Sequence, residues 1–92
     1  MLVPGGIGKQ ARQVMANLAA IALAAGGSLD DAVRTTVFLA DFGHFAAMNL
    51  ICAEFFGTSL PARSTVKVSR LPLDALVEIE AILALAGSTW KR

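Results

Sequence analysis

An α+β two-layer sandwich with elements in the order α-β-α-β-β is the fold class that this sequence predicts. Two segments place apolar residues at steps of three and four. Three others alternate with a period of two, and glycine or proline separates them. One layer of helices over one layer of sheet is the simplest way to bury those faces.

The first helix is expected from Lys9 to about Ala25, after a Pro/Gly lead-in over residues 1–8. Val14, Leu18, Ile21 and Ala25 fall on one face. Gly26-Gly27 ends it, because glycine adopts the left-handed conformation that closes a helix. Asp30 and Asp31 are read as a solvated turn before a strand at about Ala32–Ala40, where RTTVFLA is rich in β-branched and aromatic residues. The second helix is expected over Phe45–Phe56, its stripe formed by Phe45, Met48 or Asn49, Cys52 and Phe55/Phe56, with Gly57 closing it. SLP is a loop. Strands at about Arg63–Arg70 and Leu76–Leu85 follow, joined as a hairpin through LPLDA, and the tail GSTWKR is polar, its Trp90 read as either covering an edge or disordered.

The 92 residues bound the chain to one domain, 1–92, with a thin core of its own. Yet 55% of residues are hydrophobic and only 16% charged, against about 25% in an ordinary soluble domain. Mean hydropathy is +0.63. So apolar a surface on so small a body predicts self-association. A formal net charge of +1 with scattered basic residues gives no nucleic-acid footprint. VMANLAAIALAAGG is broken by glycine too early to span a membrane, and no signal peptide is evident. The single Cys52 excludes an internal disulfide, so a soluble cytoplasmic protein is expected.

Residues 61–81, PARSTVKVSRLPLDALVEIEA, carry the candidate chemistry. Strand parity sets Val66 and Val68 apart from Arg63, Thr65, Lys67 and Ser69. It also sets Val77, Ile79, Ala81 and Leu83 apart from Leu76, Glu78, Glu80 and Ile82. If the apolar sets meet the helices, Arg63, Glu78 and Glu80 lie together on the helix-free face. There they are either a wet surface with cross-strand Lys67/Glu78 or Thr65/Glu80 pairs, or a cleft covered by another copy. The arginine fork suits a carboxylate. His44 reads as a capping or solvent-facing residue. It makes no metal site alone, and Cys52 reads as packing.

The same stretch resembles the signature of the Rid family, the reactive intermediate deaminases or YjgF-like group. The match lies in P-A-R-S at Pro61–Ser64, the alternating valines, a small residue at Ser69 and V-E-I at Val77–Ile79. LDDAVRTTVFLADFGHFAAMNLICAEFF is similar to the family's strand and second helix, and the likeness runs from about Lys9 to Leu85. The resemblance implies a chorismate-mutase-like fold assembled as a homotrimer, with clefts between adjacent subunits. It implies hydrolysis of enamines or imines such as 2-aminoacrylate to a 2-keto acid and ammonia, a hydrolase reaction at a C–N bond that needs no cofactor and no metal.

Carried onto this sequence, Arg63 holds the substrate carboxylate, Glu78 positions the attacking water, and Asn49 lies near the cleft. Glu80 would be structural. Thr65 stands where some relatives have cysteine. The partners implied are a small imino or keto acid and further copies of the chain, with neither nucleic acid nor membrane. The family's usual two strands before the first helix are expected to be lacking here, since MLVPGGIG corresponds to the end of that region and has no strand pattern. The alternative is a non-catalytic module of the same fold that binds small carboxylates, or another protein, and has lost activity with those strands.

Overall fold

The computed structural model describes residues 6–57 and 60–85. Helix α1 (Ile7–Ala24) leads through a 3-10 turn at Leu29–Asp31 into β1 (Ala32–Leu39). Helix α2 (Phe45–Phe56), β2 (Ala62–Lys67), a 3-10 turn at Pro72–Asp74 and β3 (Val77–Leu83) follow. The predicted α-β-α-β-β order and two-layer α+β class hold. The expectations for residues 1–5 and for the tail with Trp90 lie outside the described residues.

Helix α1 ends as its glycines require. Gly26 sits at φ 93°. Its N–H donates to Leu23 O (3.0 Å) and that of Gly27 to Ala22 O (2.9 Å), the paired bonds of a Schellman ending. The buried face is rotated from the expected one. Ala11, Met15 and Ala22 are buried, with Val14, Leu18 and Ala19 partly so, whereas Ile21 is 64% exposed. In a helix so rich in alanine, several stripes are apolar enough. The larger Met15 takes the centre because it fills the space between sheet and α2. Asp31 is no free solvated residue either. Its Oδ2 accepts from Ser28 N (2.9 Å), while Asp30 N donates to Ser28 Oγ (3.1 Å), capping the turn that launches β1.

The sheet runs β2-β1-β3, with β1 parallel to β2 and antiparallel to β3. The expected hairpin between the last two strands is therefore replaced by a crossing from one edge of the sheet to the other. The segment after β2 passes the end of β1, with Leu73 and Asp74 both at positive φ and an exposed Arg70–Asp74 ion pair (2.7 Å). β1 takes the centre because it is the most β-branched and least charged strand. The charge-bearing strands occupy the edges, where lysine and glutamate are tolerated. Lys67 and Glu78 are accordingly not neighbours: Lys67 stands opposite Leu39, and Glu78 opposite Phe38.

Val37 and Leu39 of β1, Val77 and Ile79 of β3, Met15 of α1, and Met48, Cys52 and Phe56 of α2 form the core. Met15, Leu39 and Met48 are fully buried, each worth about 1.5–3 kcal/mol relative to exposure. Gln10 reaches across as a buried polar strut, its Oε1 accepting from Leu76 N (2.8 Å) just before β3. No helix among the described residues is long and apolar enough to cross a membrane.

Candidate functional site

Register decides where the candidate residues point. Paired residues share a face, and Thr35 pairs with Arg63 on one side and Ala81 on the other. Thr35, Val37 and Leu39 are buried under the helices, so Arg63 is on the helix-covered face. Glu78 pairs with Phe38 and Glu80 with Thr36, on the helix-free face. The expectation that arginine and glutamates share the helix-free face is therefore corrected for Arg63. β2 is an edge strand whose inward residues overhang the helical layer. A long charged side chain can face inward there and still reach water. Its Val66, 40% exposed, lies on the other face beside Phe38.

Helix α2 positions the guanidinium. Arg63 Nη1 donates to Asn49 Oδ1 at 2.5 Å, and the guanidinium carbon lies 5.3 Å from the Phe45 ring centre, in cation–π range. Phe45 and Asn49 are four residues apart, hence stacked on one side of α2. Asn49, expected only to lie near the cleft, is in hydrogen-bond contact with Arg63, and Phe45 is a member that sequence reading did not assign. Its signal was available in that i, i+4 spacing. With one nitrogen tied to Asn49, the rest of the fork remains for a carboxylate.

Arg63 and Asn49 stand at the lip of a cavity of about 340 Å³ between α2 and the sheet, with Leu60 and Pro61 beside them. Its walls are mainly apolar: Met15, Val37, Cys52, Ala53, Phe56 and Ile79. Thr35, 3% exposed, adds a hydroxyl to the lining that makes no hydrogen bond among the described residues. Burial pushes the Cys52 thiol pKa up, and the nearby Arg63 charge offsets this only in part. Cys52 therefore packs as a neutral thiol, its Sγ 3.5 Å from Met48 Sδ.

Glu78 borders a different cavity, of about 230 Å³, between α1 and β3, with Gln10, Gln13 and Asn17. Arg63 and Glu78 thus lie on opposite edges and opposite faces of the sheet, separated by β1. One chain does not bring them together. Neither Glu78 nor Glu80 makes an ion pair among the described residues. His44 precedes α2 without a side-chain cap, its Nδ1 buried and without a hydrogen-bond partner among the described residues. The capping bond there comes from Asp41, whose Oδ1 accepts from Gly43 N at 2.8 Å. No group of three or more metal-ligating side chains occurs among the described residues.

The arrangement is that of a two-layer α+β protein with an arginine at the lip of a mainly apolar cavity beside an edge strand. Comparison with known proteins narrows the class. The family model described as Endoribonuclease L-PSP matches residues 1–85. A RutC family protein of Pyrococcus horikoshii is 56% identical over 81 residues, covering 88% of this chain and 64% of that protein. The 2-iminobutanoate/2-iminopropanoate deaminase of Mus musculus is 47% identical, covering 88% and 60%. The crystal structure of YyfA, a Rid-family protein from Yersinia pestis, superposes with a TM-score of 0.88 at 45% identity, covering 92% of this chain and 68% of that one. The chain belongs to this Rid or L-PSP family. It spans about 60–64% of the length of these curated relatives.

Proposed function

We propose that this protein hydrolyses reactive enamines and imines of small 2-amino acids, such as 2-aminoacrylate, to the 2-keto acid and ammonia. The observation that carries the reading is Arg63, held by Asn49 and Phe45 at the lip of a substrate-sized cavity. The deaminase name of the mouse relative supports it. The carboxylate of an imino acid pairs with the free nitrogens of the guanidinium, which fixes the C=N carbon nearby. An enamine first takes a proton on carbon to become the imine. Water then adds to the C=N carbon, giving a carbinolamine. Proton transfer to nitrogen releases ammonia and leaves the C=O bond. Imines are already electrophilic, so positioning and modest proton transfer suffice.

Glu78 is the group proposed to orient that water and carry its proton. Since it lies far from Arg63 within one chain, the glutamate at each site comes from a neighbouring copy. A homotrimer with its clefts between subunits meets that requirement. The lone cysteine supports a reducing, cytoplasmic setting for such an assembly.

Release of ammonia and keto acid from freshly generated 2-aminoacrylate tests the activity. A rate no faster than buffer, or an Arg63→Ala variant as fast as the parent, overturns it. Mixing Arg63→Ala with Glu78→Gln chains tests the shared site. Each variant alone is slow, and co-refolded mixtures regain part of the parent rate only if the two residues act across an interface.

The separation of Arg63 from Glu78 within the chain also favours a second reading, a binding module that holds a carboxylate without turnover. Saturable, Arg63-dependent binding of 2-ketobutyrate by a protein with no deaminase rate selects it. The ribonuclease in the family's description gains no support from charge, since eight Lys and Arg stand against seven Asp and Glu.

A further inference from the structure

We infer that the cavity under Arg63 is a side-chain pocket that selects imino and keto acids with apolar chains of several carbons. This rests on the reading of Arg63 as carboxylate anchor and adds what that reading leaves open, the substrate's other end. Three observations on the chain carry it.

The space, about 340 Å³, is far larger than the methyl group of the smallest 2-keto acid fills. Below the polar lip its walls are apolar, with Val37 and Ile79 as floor and Met15, Cys52 and Phe56 from the helices above. Thr35 is Arg63's register partner one strand spacing away on the same face. Its hydroxyl lines the cavity and makes no hydrogen bond among the described residues.

These positions fix an orientation. The carboxylate sits between the free guanidinium nitrogens and the Thr35 hydroxyl, which donates to its second oxygen. The chain at C3 and beyond then runs inward over Val37 and Ile79, and C2 stays at the lip where water and a neighbouring copy's carboxylate reach it. Each added methylene leaves water for an apolar wall, worth roughly a fourfold gain in affinity.

Calorimetric titration of the full chain with pyruvate, 2-oxobutanoate, 2-oxopentanoate and 2-oxohexanoate tests this without relying on turnover. The dissociation constant is expected to fall roughly fourfold per methylene along the series. Ala53→Leu, at a solvent-exposed wall of the cavity, abolishes the gain for the longer acids and weakens pyruvate least. Thr35→Val, close in shape, weakens all four by about tenfold, as loss of a hydrogen bond to a charged group does.

Arg63-dependent binding that is flat along the series overturns the side-chain pocket and leaves the Arg63 anchor standing. Equal weakening of all four acids by Ala53→Leu also overturns it. If none of the acids binds, both the pocket and the anchor fall. The chain-length series uses the parent protein alone, so its outcome does not depend on the folding of any variant.

Discussion

Arg63 is an exposed residue on an edge strand, yet its guanidinium is oriented by two contacts from α2, the Asn49 amide oxygen and the Phe45 ring. An arginine free to rotate spends entropy each time it grips an anion. One already held spends less. Asn49→Ala should therefore weaken binding of 2-oxo acids roughly three- to tenfold, as expected for an orienting hydrogen bond worth about 0.5–1.5 kcal/mol. Titration of the variant with 2-ketobutyrate measures it, and unchanged affinity would show that Asn49 contributes nothing.

A second pair operates at the same scale. Arg12 Nη1 meets Glu54 Oε1 at 2.6 Å and ties α1 to α2. That hydrogen bond, with the charge behind it, holds the Glu54 carboxyl below its ordinary range and raises Arg12. Because the folded-state value of Glu54 is depressed, its stabilising contribution is present above the ordinary carboxylate pKa and is lost as pH falls through the depressed value. Both groups are solvent-exposed, so the effect is small and weakens with salt. Melting temperatures of parent and Glu54→Gln should differ at neutral pH and low salt and converge in acid. A gap that widens toward low pH would contradict this.

Elements show how local chemistry and tertiary competition divide the work. The end of α1 is a local affair: at φ 93°, Gly26 is in a conformation that an L side chain adopts only at a cost. Gly26→Ala should destabilise the protein by about 1–2 kcal/mol, read by urea denaturation, and a change below a few tenths would show that the left-handed ending is not required. Gly26-Gly27 announced that ending in the sequence. Helix α2 was legible in its bounds and in Cys52 at the centre of its stripe, while the structure chose Met48 over Asn49 and Phe56 over Phe55 as the buried members.

Less legible was which stripe of the alanine-rich α1 faces inward. More than one of its stripes is apolar enough to bury, so the answer depends on the hole that Met15 fills. The strand residues were legible too, but not their pairing. A nine-residue connection between β2 and β3 is long enough to make a hairpin or to pass around the end of β1. What decides is that β1, with Val37 and Leu39, has the most to gain from the centre. That exchange moved Arg63 to the helix-covered face. Parity says only which residues are together, and an edge strand whose Val66 points outward does not reveal which set is covered.

At the scale of the whole molecule, the helix-free face is mixed. Phe38, Val66 and Ile82 lie among Arg34, Thr36, Ser64, Glu78 and Glu80, with Arg34 Nη2 donating to Ser64 Oγ. Ile82 is 61% exposed and Val66 40%. On so small a protein such a face suits association with further copies. Ile82→Glu, which places a charge in that contact without touching Arg63 or its cavity, should shift the mass in solution toward the monomer and lower deaminase activity in parallel. A parent protein that remains monomeric at micromolar concentration would remove the shared site altogether.

By itself the sequence determined the elements, their order, the two-layer class and the family. These follow from local periodicity, from turn residues and from motifs that are contiguous in the chain. Tertiary structure alone decided strand order, and with it the separation of Arg63 from Glu78, the choice of inward face on α1, and the cavity beneath the guanidinium. Each of these depends on which surfaces compete for the same buried space, a comparison between distant segments that no single stretch of residues contains.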